Sequence, residues 1–274
     1  MNKIVSKEHF SPHVVKLEVE APLIARSRKA GHFVIVRVGE QGERIPLTIA
    51  ASDTTRGTIT LVVQAVGRSS KKLCALNEGD YVTDIVGPLG QATHIERVGT
   101  VVCAGGGVGV APLLPIVEAF HKAGNRVIVV LAARTKELII LEDRMRACSD
   151  EVIIMTDDGS YGRRGMVTTC LEELWKEGKR YDRAVAIGPM IMMKFVCKLT
   201  RELGIPTVVS MNPIMVDGTG MCGACRLSVD KEIKFACVDG PEFDGHKIDF
   251  DQAMARMQLY KEQETALFKA LGGV

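Results

Sequence analysis

An antiparallel β barrel followed by a parallel-sheet α/β domain with a cysteine-bearing C-terminal insert is the fold class that the sequence predicts. Three observations carry it. Residues 1 to about 97 hold short β-rich runs between Gly- and Pro-containing turns. From about residue 98 strands alternate with helical segments, the pattern of βαβ units on a parallel sheet. Between Met211 and Asp244, Gly218, Gly220, Gly223 and Gly240 surround three clustered cysteines. The length of 274 residues agrees, since roughly 150 residues per domain leaves two cores that need no staples.

In chain order, residues 14–19, 33–38 and 58–63 read as barrel strands, and little helical periodicity precedes Ser69 and Ser70. The barrel is expected over 1–97 and the α/β domain over 98–210. Strands of the latter fall at 100–104, 126–132, 151–156 and 183–187, with helices running to Lys122, near 142–147 and over 168–177. Val98 to Val117 is 20 residues without a charge, yet its five Gly and two Pro suit a strand, a glycine loop and a buried helix start rather than a membrane span. Residues 211–245 form a loop-rich insert too short for a large core. The last segment, 246–274, carries a helix over 249–271 with Phe250, Met254 and Met257 on one face.

Composition narrows the function classes. Hydrophobic residues make up 46% and charged residues 25%, which excludes a disordered chain. With 35 Lys+Arg against 33 Asp+Glu, a net charge of +2 gives no basis for nucleic-acid binding. The N-terminus lacks the apolar stretch of a secretory signal, so a cytoplasmic chain without a membrane partner is expected, and its eight cysteines are not a disulfide framework. Cys74, Cys103, Cys148, Cys170 and Cys197 are scattered and read as small core hydrophobes. His9, His13, His32, His94 and His121 show no partner spacing. No nucleophile-elbow, zincin or Walker A pattern is present, which removes hydrolase and kinase readings.

Gly105-Gly106-Gly107-Val108-Gly109-Val110-Ala111-Pro112 follows a strand and opens a helix, where a pyrophosphate would meet exposed backbone N–H groups and the helix dipole. The pattern is nearer G-x-G-x-x-P than the usual dinucleotide fingerprint, and a turn chosen only for close packing is the competing reading. Other strand ends offer further contacts: Arg134, Asp157, Asp158 and Gly188-Pro189-Met190. Asp157 or Asp158 would accept from a ribose hydroxyl and repel a 2′-phosphate, a lean towards NAD(H), while Arg134 pulls the other way. Asp158-Gly159 also fits an ordinary turn.

In the barrel, Arg44, Pro46, Leu47 and Thr48 supply a cation, a fixed φ and a hydroxyl at a strand start, which suits a flavin and its phosphate. Gly67 followed by Ser69 and Ser70 opens a helix and is a second anion candidate, although a capped helix alone explains it. The sharpest pattern is Asp217-x4-Cys222-x2-Cys225-x11-Cys237. Plant-type [2Fe–2S] proteins use C-x4-C-x2-C with a distant fourth Cys, so the register is intact with a carboxylate in the first position. A structural zinc site built from the three cysteines plus Asp217 or His246 competes with it.

Pro46-Leu47-Thr48, Gly67-x-Ser69-Ser70, Gly87-Pro88-Leu89-Gly90, the 105–112 run, Gly188-Pro189-Met190-Ile191-Met192-Met193 and the cysteine insert together resemble the ferredoxin–NADP reductase superfamily. Within it the chain is similar to the electron-transfer branch that includes the subunit of dihydroorotate dehydrogenase and, more closely, the small subunit of NADH-dependent reduced ferredoxin:NADP oxidoreductase, also called sulfide dehydrogenase. The resemblance implies FAD on the barrel at Arg44, Pro46, Leu47, Thr48, Gln64, Gly67, Ser69 and Ser70. It implies NAD(H) at Gly106, Gly107, Gly109, Pro112, Arg134, Asp157, Asp158, Gly188, Pro189 and Met190, and a [2Fe–2S] cluster on Asp217, Cys222, Cys225 and Cys237. A larger partner subunit with its own flavin and iron–sulfur centres is the implied electron acceptor, docked near 211–274. Two departures stand out. Against the family's R-x-Y-S motif, Leu47 takes the Tyr place and Arg44 lies one residue further upstream than the motif's Arg, and the dihydroorotate branch has Cys where this chain has Asp217. A redox-inactive, zinc-stapled nucleotide-binding regulator is the reading from another class.

Overall fold

The computed structural model describes residues 1–270. Strands β1 (Asn2–Ser11), β2 (Val14–Glu20), β3 (Phe33–Arg37), β4 (Arg44–Asp53), β5 (Thr58–Gln64), β6 (Tyr81–Val82) and β7 (Asp84–Leu89) form a curled antiparallel sheet in the order β6-β1-β2-β5-β4-β3-β7. Helices α1 (Pro22–Ser27) and α2 (Arg68–Ala75) pack on it. Strand alternation sends Leu17, Val19, Val34, Val36, Ile49, Ile59, Leu61 and Val63 into one buried cluster, closed by Leu73 of α2. Each fully buried aliphatic side chain there contributes about 1.5–3 kcal/mol of transfer free energy. Facing residues of antiparallel neighbours share a side. Phe33 opposite Thr48 and Ile35 opposite Pro46 therefore point away from this cluster, and both Phe33 and Ile35 join the core beneath the second domain.

In that domain β8 (Thr100–Gly106), β9 (Arg126–Ala133), β10 (Glu151–Thr156), β11 (Arg163–Arg164), β12 (Arg183–Ile187) and β13 (Thr207–Ser210) pair in parallel. The cysteine-bearing segment contains a hairpin of β14 (Arg226–Val229) and β15 (Glu232–Phe235). Strand β16 (Glu242–Asp244), expected within the loop-rich insert, then returns to the sheet antiparallel to β13, pairing Ser210 with Glu242. The order β11-β10-β9-β8-β12-β13-β16 places the reversal of connection direction between β8 and β12. Helices α3 (Val110–Lys122) and α4 (Glu142–Ala147) cover one face, and α5 (Val167–Lys176) and α6 (Met190–Glu202) the other. The uncharged stretch is indeed strand, glycine turn and helix. No described helix is long and apolar enough to cross a membrane.

Where one helix over 249–271 is expected, the chain forms α7 (Phe250–Met257) and α8 (Lys261–Ala270). The Asp249 carboxylate caps α7 by accepting from the Gln252 N–H. Phe250 and Ala253 are buried and Met254 packs beside them, but Met257 is exposed and the stripe then reaches Lys261 and Glu264, so the buried face ends with α7. Leu271 lies outside the described residues. Of the scattered cysteines, Cys103, Cys170 and Cys197 are buried as expected, whereas Cys74 and Cys148 are only half-buried. Burial pushes the Cys170 thiol up to about 11 and that of Cys197 to about 12, which makes them inert packing groups.

Candidate functional site

On the barrel, Pro46 and Thr48 lie half-buried on the outward side of β4, on the side that carries Phe33 and Ile35. Arg44 opens the same strand, and its Nε is buried without a hydrogen-bond partner. An orphaned guanidinium nitrogen is costly in a finished interior and fits a site that receives an anion. Gln64 ends β5 nearby in the sheet. At the start of α2 the Ser70 hydroxyl accepts from the N–H groups of Val66 (3.0 Å) and Gly67 (2.9 Å). Ser70 is thus already spent on capping, while the Ser69 hydroxyl donates to Glu43, a carboxylate that sequence reasoning overlooked. A phosphate at this helix start would have to displace Glu43.

The second patch is the switch point. A Cβ built on Gly188 would lie 3.0 Å from Gly106 Cα, and one on Gly109 would lie 2.6 Å from Ile187 O. The two glycine turns at the ends of β8 and β12 are therefore in backbone contact, and side chains there would fill the crevice between them. Gly107 has φ +56° with open space beside it, which leaves its backbone accessible at the mouth of α3. Pro112 is half-buried in the first turn of α3, and Pro189 and Met190 start α6. Arg134 and Asp157 are exposed at the ends of β9 and β10. Asp158 belongs to its own turn: Oδ1 accepts from the Ser160 N–H (2.9 Å) and hydroxyl (2.6 Å), which hold its carboxyl below the ordinary range. Of the two aspartates, Asp157 is the better placed to meet a ribose.

The third patch contains the four residues of the cysteine motif, brought together as two pairs. Cys225 and Cys237 have sulfurs 3.2 Å apart in the interior. Burial, then Cys225, push the Cys237 thiol up to about 12. Asp217 Oδ2 accepts from the Cys222 N–H at 2.8 Å and Oδ1 from the Thr219 N–H at 2.9 Å, so the carboxylate sits beside the exposed Cys222. Those donors, Thr219 foremost, hold its carboxyl below the usual range and keep it ionised. Among the described residues no three His, Cys, Asp or Glu side chains converge on one metal position. Three thiols and one carboxylate on this short segment are a donor set that a two-iron centre can use. His246 is engaged elsewhere, with Nε2 3.0 Å from the Thr200 hydroxyl.

The loop carrying Asp217 is seated on the barrel. Gly218 has φ +76°, and a Cβ there would lie 2.6 Å from Leu89 Cδ1 and 3.0 Å from Ile35 Cγ1. Ile35 faces Pro46 across one strand spacing of about 4.8 Å, so the third patch meets the first through a single intervening strand.

Comparison with known proteins agrees with this geometry. The oxidoreductase NAD-binding domain family matches residues 103–198, and the iron–sulfur cluster binding domain of dihydroorotate dehydrogenase B matches residues 212–249. A Thermotoga maritima protein described as a homolog of the electron transfer subunit of dihydroorotate dehydrogenase B (NAD(+)) is 47% identical over 264 residues, covering 96% of this chain and 93% of its own. A chain of the NADH-dependent reduced ferredoxin–NADP oxidoreductase, solved for insight into flavin-based electron bifurcation, superposes with a TM-score of 0.94 at 43% identity, covering 99% of this chain and 98% of that one. A ferredoxin NADP+ reductase from Neisseria gonorrhoeae shares the fold alone, with a TM-score of 0.60 at 18% identity, covering 74% of this chain and 90% of that one. By fold, domain matches and full-length relatives, the chain belongs to the electron-transfer-subunit family of dihydroorotate dehydrogenase B type, NAD-linked oxidoreductase subunits with an iron–sulfur binding domain on a ferredoxin–NADP reductase fold.

Proposed function

We propose that the chain exchanges hydride with NAD(H) at an FAD on the barrel and passes single electrons through a [2Fe–2S] cluster to a larger redox subunit, as the NADH-dependent reduced ferredoxin–NADP oxidoreductase relative suggests. The observation that carries this reading is the contact of Gly218 with Ile35 and Leu89, which brings the ligand loop to the strand beside Pro46 and Thr48. When bound, the flavin converts between electron pairs and single electrons, and the cluster carries one at a time.

The protein's own groups supply binding and orientation. Arg44 would neutralise the flavin phosphates, Pro46 and Thr48 would present a flat apolar face with one hydroxyl, and Gln64, Gly67 and Ser69 would border them, whereas Leu47, expected at the flavin, packs against the barrel core on the other side of β4. Gly106, Gly107, Gly109 and Pro112, with Gly188, Pro189 and Met190, would cradle the nicotinamide dinucleotide, and Arg134 and Asp157 would flank its ribose end. Asp217 and Cys222 would hold one iron, Cys225 and Cys237 the other. Asp217 in the position that the dihydroorotate branch fills with Cys supports the ferredoxin:NADP type. No observation favours the zinc reading.

The outlet is a face around the exposed Cys222. Met221 is 88% exposed, and Val216, Leu259 and Tyr260 are exposed apolar side chains. Cys222, Arg256, Met257, Leu259 and Tyr260 border a small cavity of about 210 Å³. Such a patch beside a redox group suits a protein partner that carries its own redox centres. A cytoplasmic location is supported by the unpaired state of all eight cysteines in the described residues.

Anaerobic NADH titration of the purified chain, followed by visible absorption and spin resonance with iron and sulfide analysis, tests the assignment. Flavin bleaching followed by a reduced-cluster signal is the expected result. Colourless protein without inorganic sulfide would overturn it.

A further inference from the structure

One half-buried carboxyl stands where all three parts of the molecule meet. Glu242 lies on β16, five residues after Cys237, and pairs with Ser210 at the edge of the α/β sheet. Its Oε1 accepts the Thr93 hydroxyl at 2.6 Å, and Thr93 belongs to the segment that joins the barrel to the α/β domain. The Thr93 N–H donates to Ala30 O at 2.9 Å, so the same residue is tied to the barrel. Space is reserved for the arrangement at Gly31, where a Cβ would lie 2.6 Å from Thr93 Oγ1 and 2.9 Å from Glu242 Oε1. Two further bonds reinforce the seam: Gln91 N–H to Gly240 O at 2.6 Å and Gln91 Nε2 to Val238 O at 2.8 Å. Val238 in turn backs Gly220 of the ligand loop.

Nothing in the proposed chemistry uses Glu242, and burying a carboxyl is costly. We infer that Glu242 is a positioning residue for electron transfer, which by gripping Thr93 fixes the cysteine-bearing segment against the barrel strand it faces. The inference rests on the relay reading above and adds the group that sets its spacing.

The grip has access to protons. Glu242 borders a cavity of about 650 Å³ between the linker and the uncovered face of β12 and β13. The titratable groups facing it are Asp244 from its own strand, His94 from the linker, Arg183 from β12, Arg201 from α6 and His246 from the turn after β16, with Cys103 behind it on β8. Arg183 is committed to Glu96 and Arg201 to the His246 carbonyl, so neither cation is turned to Glu242. Burial accordingly pushes its carboxyl up to about 7, against a smaller opposing effect of the Thr93 hydroxyl.

The test uses the intact holoprotein mixed with NADH under anaerobic conditions, reading flavin and cluster reduction separately, with amide exchange at Gln91 and Thr93. Glu242→Ala is expected to slow cluster reduction by about tenfold or more while flavin reduction stays within about twofold, since small misplacements cost rates steeply. Glu242→Gln, which still accepts from Thr93, restores the rate. Thr93→Val, which keeps the shape and loses the hydroxyl, repeats the alanine result in milder form and serves if Glu242→Ala does not fold. A Gln variant as slow as the Ala variant, or an Ala variant with wild-type cluster reduction, would overturn the inference. Failure of the wild type itself to reduce a cluster would sink the relay reading instead.

Discussion

Gly218 rests directly on Leu89, with no room for a Cβ between the loop and the barrel strand: the added atom would lie 2.6 Å from Leu89 Cδ1. Its φ of +76° also suits glycine. Gly218→Val is therefore expected to lift the Asp217 loop off the barrel and to destabilise the protein by about 1–3 kcal/mol from overpacking and backbone strain together. Iron content per chain should fall while NADH binding persists. Equal iron content and an unchanged Tm would show that the contact does not position the loop.

The crevice at the switch point makes a separate prediction. A Cβ on Gly188 would lie 3.0 Å from Gly106 Cα, so Gly188→Ala pushes the two glycine turns apart. NADH affinity should drop about tenfold or more, equivalent to about 1.4 kcal/mol, with flavin content unchanged. Gly107→Ala leaves the two turns in place but sets a Cβ in the open space proposed for the dinucleotide, so it too should weaken NADH binding. Equilibrium titration checks both variants, and wild-type affinity in Gly188→Ala would show that the spacing of the turns does not matter.

Much of this architecture was legible in the sequence. Period-two runs marked β2, β3 and β5, and the alternation of strands and helices expected from about residue 98 begins with β8 at Thr100. The cysteine spacing marked the segment of the iron–sulfur binding domain, residues 212–249, because coordination motifs are local in the chain. Long-range relationships were not legible. Glu43 meets Ser69 across 26 residues and Glu242 meets Thr93 across 149, and no sequence period reports such contacts. At Asp158 the structure shows the turn that was one of the two readings there: its neighbour Ser160 offers two donors at once to the carboxylate. The break between α7 and α8 follows from burial, which the helical pattern alone does not weigh.

At the proposed ligand pair of Asp217 and Cys222, the carboxylate accepts from two backbone N–H groups, which keep it ionised. Asp217→Cys should retain a cluster, because four thiolates complete the plant-type set, but with a different spin-resonance signature and potential. Asp217→Ala should lose the cluster and loosen the loop, since the Thr219 and Cys222 N–H groups lose their acceptor. Identical spectra for the wild type and Asp217→Cys would remove Asp217 from the ligand set.

The outlet face predicts a binding phenotype distinct from a redox one. Met221 is 88% exposed and Leu259 56%, so replacing either with a charged residue should not unfold the chain. Met221→Asp and Leu259→Glu are each expected to weaken association with the larger subunit by about 1–3 kcal/mol, by placing a charge at the apolar centre of the contact. NADH-dependent flavin bleaching in the isolated chain should be untouched. Copurification with the partner at wild-type yield would move the docking surface elsewhere.

Stability should carry the signature of Glu242 in its pH dependence. A carboxyl pushed up to about 7 by burial binds its proton more tightly folded than unfolded, where it titrates at its ordinary value of about 4.5. Below about 4.5 both states are protonated and the group costs nothing. As pH rises from there to about 7 the unfolded chain alone ionises, so folding stability falls, and above about 7 the loss levels off because the folded state ionises too. The full difference corresponds to about 3 kcal/mol at 1.36 kcal/mol per pKa unit. Glu242→Gln should therefore be more stable than the wild type above pH 7 and lose that advantage towards pH 4.5. Denaturant unfolding of both proteins across this range measures it, and parallel stability curves would mean that the carboxyl is not buried as the Thr93 contact requires.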